Sequence, residues 1–174
     1  MALNTSRYCY MMKTILFICT GNICRSPMAA ALMRERIAEL GLADRVQVES
    51  AGVWAEEGFG ASTHAVTVLA ERGVDLRGHQ SQAVTMRLLA QADIVLVMEE
   101  AHRRSIFYLA PQHLGKVFLL TEMSGQHDDI ADPYGRSLDD YARTAQQLAA
   151  LIEAGLPKIL NRLGLRDSGL GTRD

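Results

Sequence analysis

No sign of charge dominates this chain: 18 lysines and arginines stand against 20 aspartates and glutamates, a net charge of −2, with no basic block. Without such a block there is little to recommend a nucleic-acid or anionic-membrane role. Nor is there an apolar run near the ~20 residues that span a bilayer, and no signal peptide is evident. Cysteine is scarce. Cys9, Cys19 and Cys24 make a poor disulfide framework and fit a reducing cytoplasm. A zinc site is disfavoured, because Cys19 and Cys24 lie five apart and no cysteine follows them. The Gly-Lys-Ser/Thr ending of a nucleotide-binding loop is missing as well. Neither an internal repeat nor a second domain is visible.

What is present is a chain of 174 residues, 48% of them hydrophobic, enough for one α/β domain with a full core. Residues 1–12 read as a loose N-terminal extension, 13–164 as the single domain and 165–174 as a disordered tail. Lys13 to Cys19 is apolar on both faces, as a buried parallel strand requires. A helix bearing Met28, Leu32, Ile37 and Leu40 follows and stops at Gly41. Further strands are expected at Val46–Ser50, Ile94–Met98 and Val117–Leu120. Helices are expected after a Ser62 or Thr63 cap, over Thr85–Gln91 and over Ala101–Leu109. The alternation implies a parallel sheet covered on both faces. Residues 121–136 are polar and turn-rich, a candidate functional loop. Ser137, with Asp140 three residues on, opens a last helix whose apolar stripe runs from Leu138 through Tyr141, Leu148 and Ile152 to Leu163, with a kink expected at Pro157.

The chain is organised around Cys19-Thr20-Gly21-Asn22-Ile23-Cys24-Arg25-Ser26-Pro27. A strand delivers Cys19 to the carboxyl edge of the sheet, and a helix begins near Ser26-Pro27. Gly21 and Asn22, both tolerant of left-handed backbone, let the loop curl until its amides point inward. Such a ring, closed by a helix N-terminus, is an oxyanion cradle. Arg25 adds a planar clamp for two anionic oxygens. That field favours the thiolate of Cys19 and makes it a nucleophile, the signature of a covalent phosphatase. The Ser26 hydroxyl can donate to this thiolate. Cys24 is near enough in sequence to form a reversible disulfide with Cys19 under oxidation. A carboxylic acid must protonate the leaving oxygen, and Asp132 is preferred over Asp128 and Asp129 because Pro133 stiffens its backbone.

From Lys13 to about Leu163 these residues resemble the low-molecular-weight protein tyrosine phosphatases in their bacterial form. The shared landmarks are Cys19 to Pro27, Ser50-Ala51-Gly52, His79, the Ala92–Met98 strand and Asp132-Pro133-Tyr134. The resemblance implies a three-layer α/β/α fold on a four-stranded parallel sheet, with no metal or cofactor. It implies Cys19 as nucleophile, Arg25 as clamp and Asp132 as acid. Residues Thr20, Gly21, Asn22, Ile23, Cys24, Arg25 and Ser26 would bind phosphate, and Asn22, Ser26, Ser50 and His79 would support the loop. The partner implied is a phosphorylated protein, with phosphate-like oxyanions as inhibitors. One branch of the family acts on phosphoarginine and carries threonine where this chain has Ile23; an apolar wall suits a tyrosine ring better. Trp54 and Tyr134 are expected to wall the cleft, and Glu99 is assigned no role. The arsenate reductases that share this fold need a late cysteine pair, which this chain lacks.

Overall fold

The computed structural model describes residues 11–165. The expectations for residues 1–10 and 166–174 lie outside the described residues. Four strands, β1 (Lys13–Cys19), β2 (Val46–Gly52), β3 (Ile94–Val97) and β4 (Val117–Leu119), form one parallel sheet in the order β2-β1-β3-β4. β1 lies between β2 and β3, so the chain reverses its winding direction there. In open α/β sheets the crevice at the carboxyl ends of such a switch point is where ligands bind. Cys19, the last residue of β1, stands at that point.

The alternation of β1 divides the core. Ile15, Phe17 and Cys19 pack into a cluster with side chains of α1 (Arg25–Glu39), α2 (Thr63–Ala70), α5 (Leu120–Met123) and α6 (Leu138–Arg162). Leu16 and Ile18 face the other way, toward Leu89 of α3 (Met86–Gln91) and Ile106 of α4 (Glu100–Leu109). These are the two helical layers that a both-faces-apolar strand calls for.

Several boundaries differ from expectation. β2 runs two residues beyond Ser50, to Gly52, because Cys19 pairs in register with Gly52. β3 and β4 each end one residue early, at Val97 and Leu119. The polar stretch after β4 begins in a helix, α5, whose Thr121 hydroxyl donates to the Asp128 carbonyl at 2.8 Å and folds the loop back. Residues 111–116 form a 3-10 turn. Leu40 and Leu138 lie at helix ends, 39% and 37% exposed, rather than within the buried stripes. The last helix is capped by Ser137 in a reciprocal pair with Asp140 and continues through Pro157 to Arg162. Leu165 is buried and its amide reaches the Leu160 carbonyl at 2.9 Å, so the packed unit includes it. Among the described residues no helix is long and apolar enough to cross a membrane.

Candidate active site

The loop between β1 and α1 is held by its carbonyls. Cys19 O accepts from Val53 N at 3.0 Å and Thr20 O from Trp54 N at 2.9 Å. Asn22 O accepts from His79 Nε2 at 2.7 Å and Ile23 O from Ser62 N at 2.8 Å. A peptide N–H points opposite to the carbonyl of its own plane. Drawing four carbonyls outward therefore turns the amides of Thr20, Gly21, Ile23 and Cys24 the other way, into the curl. Asn22, rather than Gly21, makes the left-handed step, at φ 54°. β2 must come very close for these bonds to form. A Cβ on Gly52 would lie 2.5 Å from Thr20 O and 2.8 Å from Asn22 N, which accounts for the glycine of Ser50-Ala51-Gly52.

A hydrogen-bond chain runs from Gln82 through Asn22 and Ser26 to Cys19. Gln82 N donates to Asn22 Oδ1 at 2.9 Å, and Asn22 Nδ2 donates to both Ser50 Oγ and Ser26 Oγ, each at 2.9 Å. The Ser26 hydroxyl lies 2.9 Å from Cys19 Sγ and 3.3 Å from Ala51 O; toward a thiolate at Cys19 it can only donate. Asn22, Ser26, Ser50 and His79 thus stand together as the resemblance implies. His79 donates from Nε2, and burial lowers its pKa, which favours the neutral ring.

Arg25 is 1% exposed. Its Nη1 donates to the Glu99 carboxylate and to Ile130 O at 2.7 Å, while Nη2 lies 3.0 Å from Asp132 Oδ2 and 3.4 Å from Thr20 Oγ1. Its Nε is buried with no acceptor among the described residues, a donor suited to an oxyanion. Asp132 also accepts from Tyr134 N at 3.1 Å through Oδ1, and Pro133 between them is buried. Asp129 instead accepts from Glu100 N at 2.8 Å. Cys19, Thr20, Gly21, Ile23, Cys24, Asp132 and Tyr134 line one cavity of about 180 Å³. Trp54 is not among them; it is 79% exposed beside the loop. Cys24 Sγ lies 3.1 Å from Tyr141 Oη and 3.4 Å from Ser62 Oγ. Burial pushes the Cys24 thiol up, and both Cys19 and Cys24 are free.

Two side chains join the site without a signal in the sequence. Glu99, placed just beyond β3, is the carboxylate on Arg25. His102, 2% exposed in the first turn of α4, reaches Thr20 Oγ1 from Nε2 at 2.9 Å. Its pKa is lowered to about 4, by burial first and by the Arg25 charge second. The separations in sequence, 74 residues for Glu99–Arg25 and 82 for His102–Thr20, hide both contacts from local reading.

Comparison with known proteins agrees with this geometry. The family model for low molecular weight phosphotyrosine protein phosphatase matches residues 14–166. A probable low molecular weight protein-tyrosine-phosphatase, EpsP, from Ralstonia nicotianae is 40% identical over 149 residues, covering 86% of this chain and 97% of that protein. A protein-arginine-phosphatase from Bacillus subtilis is 42% identical over 139 residues, covering 79% of this chain and 91% of that one. The low molecular weight protein tyrosine phosphatase of T. tengcongensis superposes with a TM-score of 0.80 at 40% identity, over 84% of this chain and 99% of that one. Vibrio vulnificus Wzb, solved with benzylphosphonate, does so at 0.77 and 34% identity, over 85% and 99%. A cysteine loop at the sheet's switch point, an arginine buried behind it and near full-length similarity lead to one conclusion: the chain belongs to the low-molecular-weight phosphotyrosine protein phosphatase family.

Proposed function

We propose that this chain hydrolyses phosphotyrosine in proteins through a phosphocysteine intermediate. Cys19 thiolate attacks phosphorus, the loop amides and Arg25 hold the equatorial oxygens, and the bond to the tyrosine oxygen breaks as Asp132 supplies its proton. Water then attacks the phosphocysteine, with Asp132 taking the proton back. Asp132 reaches Arg25 at 3.0 Å, so an oxyanion clamped by the guanidinium would sit beside its carboxyl. Ser26 supports departure of the thiolate in the second step. Phosphate-like oxyanions compete for the same cradle.

The observation that carries the tyrosine preference is the position of Ile23 in the cavity wall, with Tyr134 in the same lining. Two apolar surfaces there suit an aromatic ring, whereas a guanidinium would lose water at the isoleucine without gaining a partner. The 42% identity to a protein-arginine-phosphatase favours a second reading, phosphoarginine on the same scaffold. Matched phosphotyrosine and phosphoarginine peptides separate the two, with Cys19→Ser as the blank. The expected outcome is turnover of phosphotyrosine, none in Cys19→Ser, and a loss of about 10²–10⁴-fold in Asp132→Asn. Arginine preference would overturn the role of Ile23, and activity retained in Cys19→Ser would overturn the covalent route.

A further inference from the structure

His102 is unused by the steps above, yet its two ring nitrogens have different partners. Nδ1 lies 3.1 Å from the backbone N of Glu99, and Nε2 lies 2.9 Å from Thr20 Oγ1. An amide N–H can only donate, so Nδ1 accepts; the neutral ring then carries its proton on Nε2 and donates to Thr20. Arg25 Nη2 approaches the same hydroxyl oxygen at 3.4 Å, also as a donor. Thr20 Oγ1 is thus engaged from its acceptor side by two donors, and its own proton can be given to neither. Thr20 lines the cavity with Cys19 and Asp132. A hydroxyl in that condition is left as a donor facing a site built for anions.

We infer that His102 is a positioning residue that fixes the Thr20 hydroxyl as a hydrogen-bond donor to the anionic group reacting at Cys19. The inference rests on the phosphatase reading above. It also explains why one turn serves the site twice: the amide of Glu99 sets the tautomer of His102, and its carboxylate holds Arg25. Clamp and donor are therefore oriented by the same two residues, Glu99 and His102, before α4 is one turn long. The competing role, a histidine that merely caps α4, uses only Nδ1 and predicts nothing about Thr20.

The two roles can be separated because Asn and Gln replace different nitrogens. His102→Asn can keep an acceptor near Nδ1 and loses the donor, whereas His102→Gln keeps a donor near Nε2. The experiment is steady-state hydrolysis of p-nitrophenyl phosphate, with thermal melts, for the parent chain, His102→Asn, His102→Gln, Thr20→Val and the Asn/Val double variant. Expected are about tenfold losses of kcat in His102→Asn and in Thr20→Val, with KM moving far less. The double variant should fall no lower than Thr20→Val alone, and His102→Gln should keep most of the activity. Additive losses in the double variant would overturn the inference, as would equal losses in the Asn and Gln variants that track the melting temperature. Should His102→Asn not fold, Thr20→Ser against Thr20→Val decides: equal turnover in both overturns it. Parent turnover that Cys19→Ser abolishes secures the phosphatase reading independently, so additivity then counts against His102 alone; an inactive parent overturns both.

Discussion

At the scale of single residues, the site depends on one buried cation and on how its charge is shared. Arg25 is 1% exposed, and Glu99 and Asp132 approach it from different elements. Glu99 is itself 28% exposed, so the pair is only partly desolvated. Removing one partner of a fully buried pair costs about 3–5 kcal/mol. With Glu99 partly exposed and Asp132 still present, Glu99→Gln should cost less, about 1–2 kcal/mol. The larger effect belongs to function. Without the Glu99 charge, Asp132 is the one carboxylate left on the guanidinium among the described residues and holds it more tightly, in competition with the oxyanion. The expected result is a drop in kcat/KM of about tenfold, carried mainly by KM. Kinetics and a urea melt on the same preparation check both halves, and unchanged KM would refute the competition.

At the scale of elements, the last helix begins just after the Asp132 turn and packs closely against α5. Ser137 caps it and pairs with Asp140, five residues after Asp132. Farther along, Gly155 faces α5: a Cβ there would lie 2.6 Å from Met123 Cβ and 3.3 Å from its carbonyl carbon. Because backbone as well as side chain stands in the way, relief requires moving one helix. Replacing glycine by alanine within a helix normally gains about 1 kcal/mol. Overpacking costs about 1–3 kcal/mol and should win here. Gly155→Ala is therefore expected to melt earlier, by a net of up to about 2 kcal/mol, and a stabilised variant would show that the two helices slide apart freely. The polar, turn-rich composition after β4 points to one loop, yet the stretch opens in the helix α5. Leu120, Thr121 and Met123 are buried there, so tertiary packing outweighed local polarity.

At the scale of the whole molecule, two histidines couple stability to pH. His79 and His102 are both held toward the neutral ring, in each case by burial first. The unfolded chain takes up these protons near pH 6.5. The folded state refuses the His102 proton until about pH 4. Stability should therefore be full above about pH 6.5, fall as pH drops below it, and stop losing the His102 contribution near pH 4. Denaturant melts at stepped pH check this, and His102→Asn should flatten the slope in that window. A wild-type curve that is level between pH 6.5 and 4 would contradict the neutral, buried assignment.

The sequence by itself determined the order of the four strands and of the helices other than α5, the place of Cys19 at the end of β1, and the identity of the curled loop. These are local matters. A strand buried on both faces needs an unbroken apolar run, a cap needs Ser137 and Asp140 three apart, and a left-handed step needs Asn or Gly. Asp132 was also legible, because Pro133 marks its turn. Only the tertiary structure decided what stands behind the loop. Glu99 and His102 look like ordinary residues at the start of a helix until parallel pairing of β3 with β1 sets them beside Arg25 and Thr20. Trp54 shows the converse. An aromatic near Ser50-Ala51-Gly52 invites a place in the cleft wall, yet its backbone is tied to Thr20 O while its side chain lies in solvent. The physical reason is common to all three: spacing along the chain fixes which face of an element a residue occupies, and only the packing of elements fixes what that face meets.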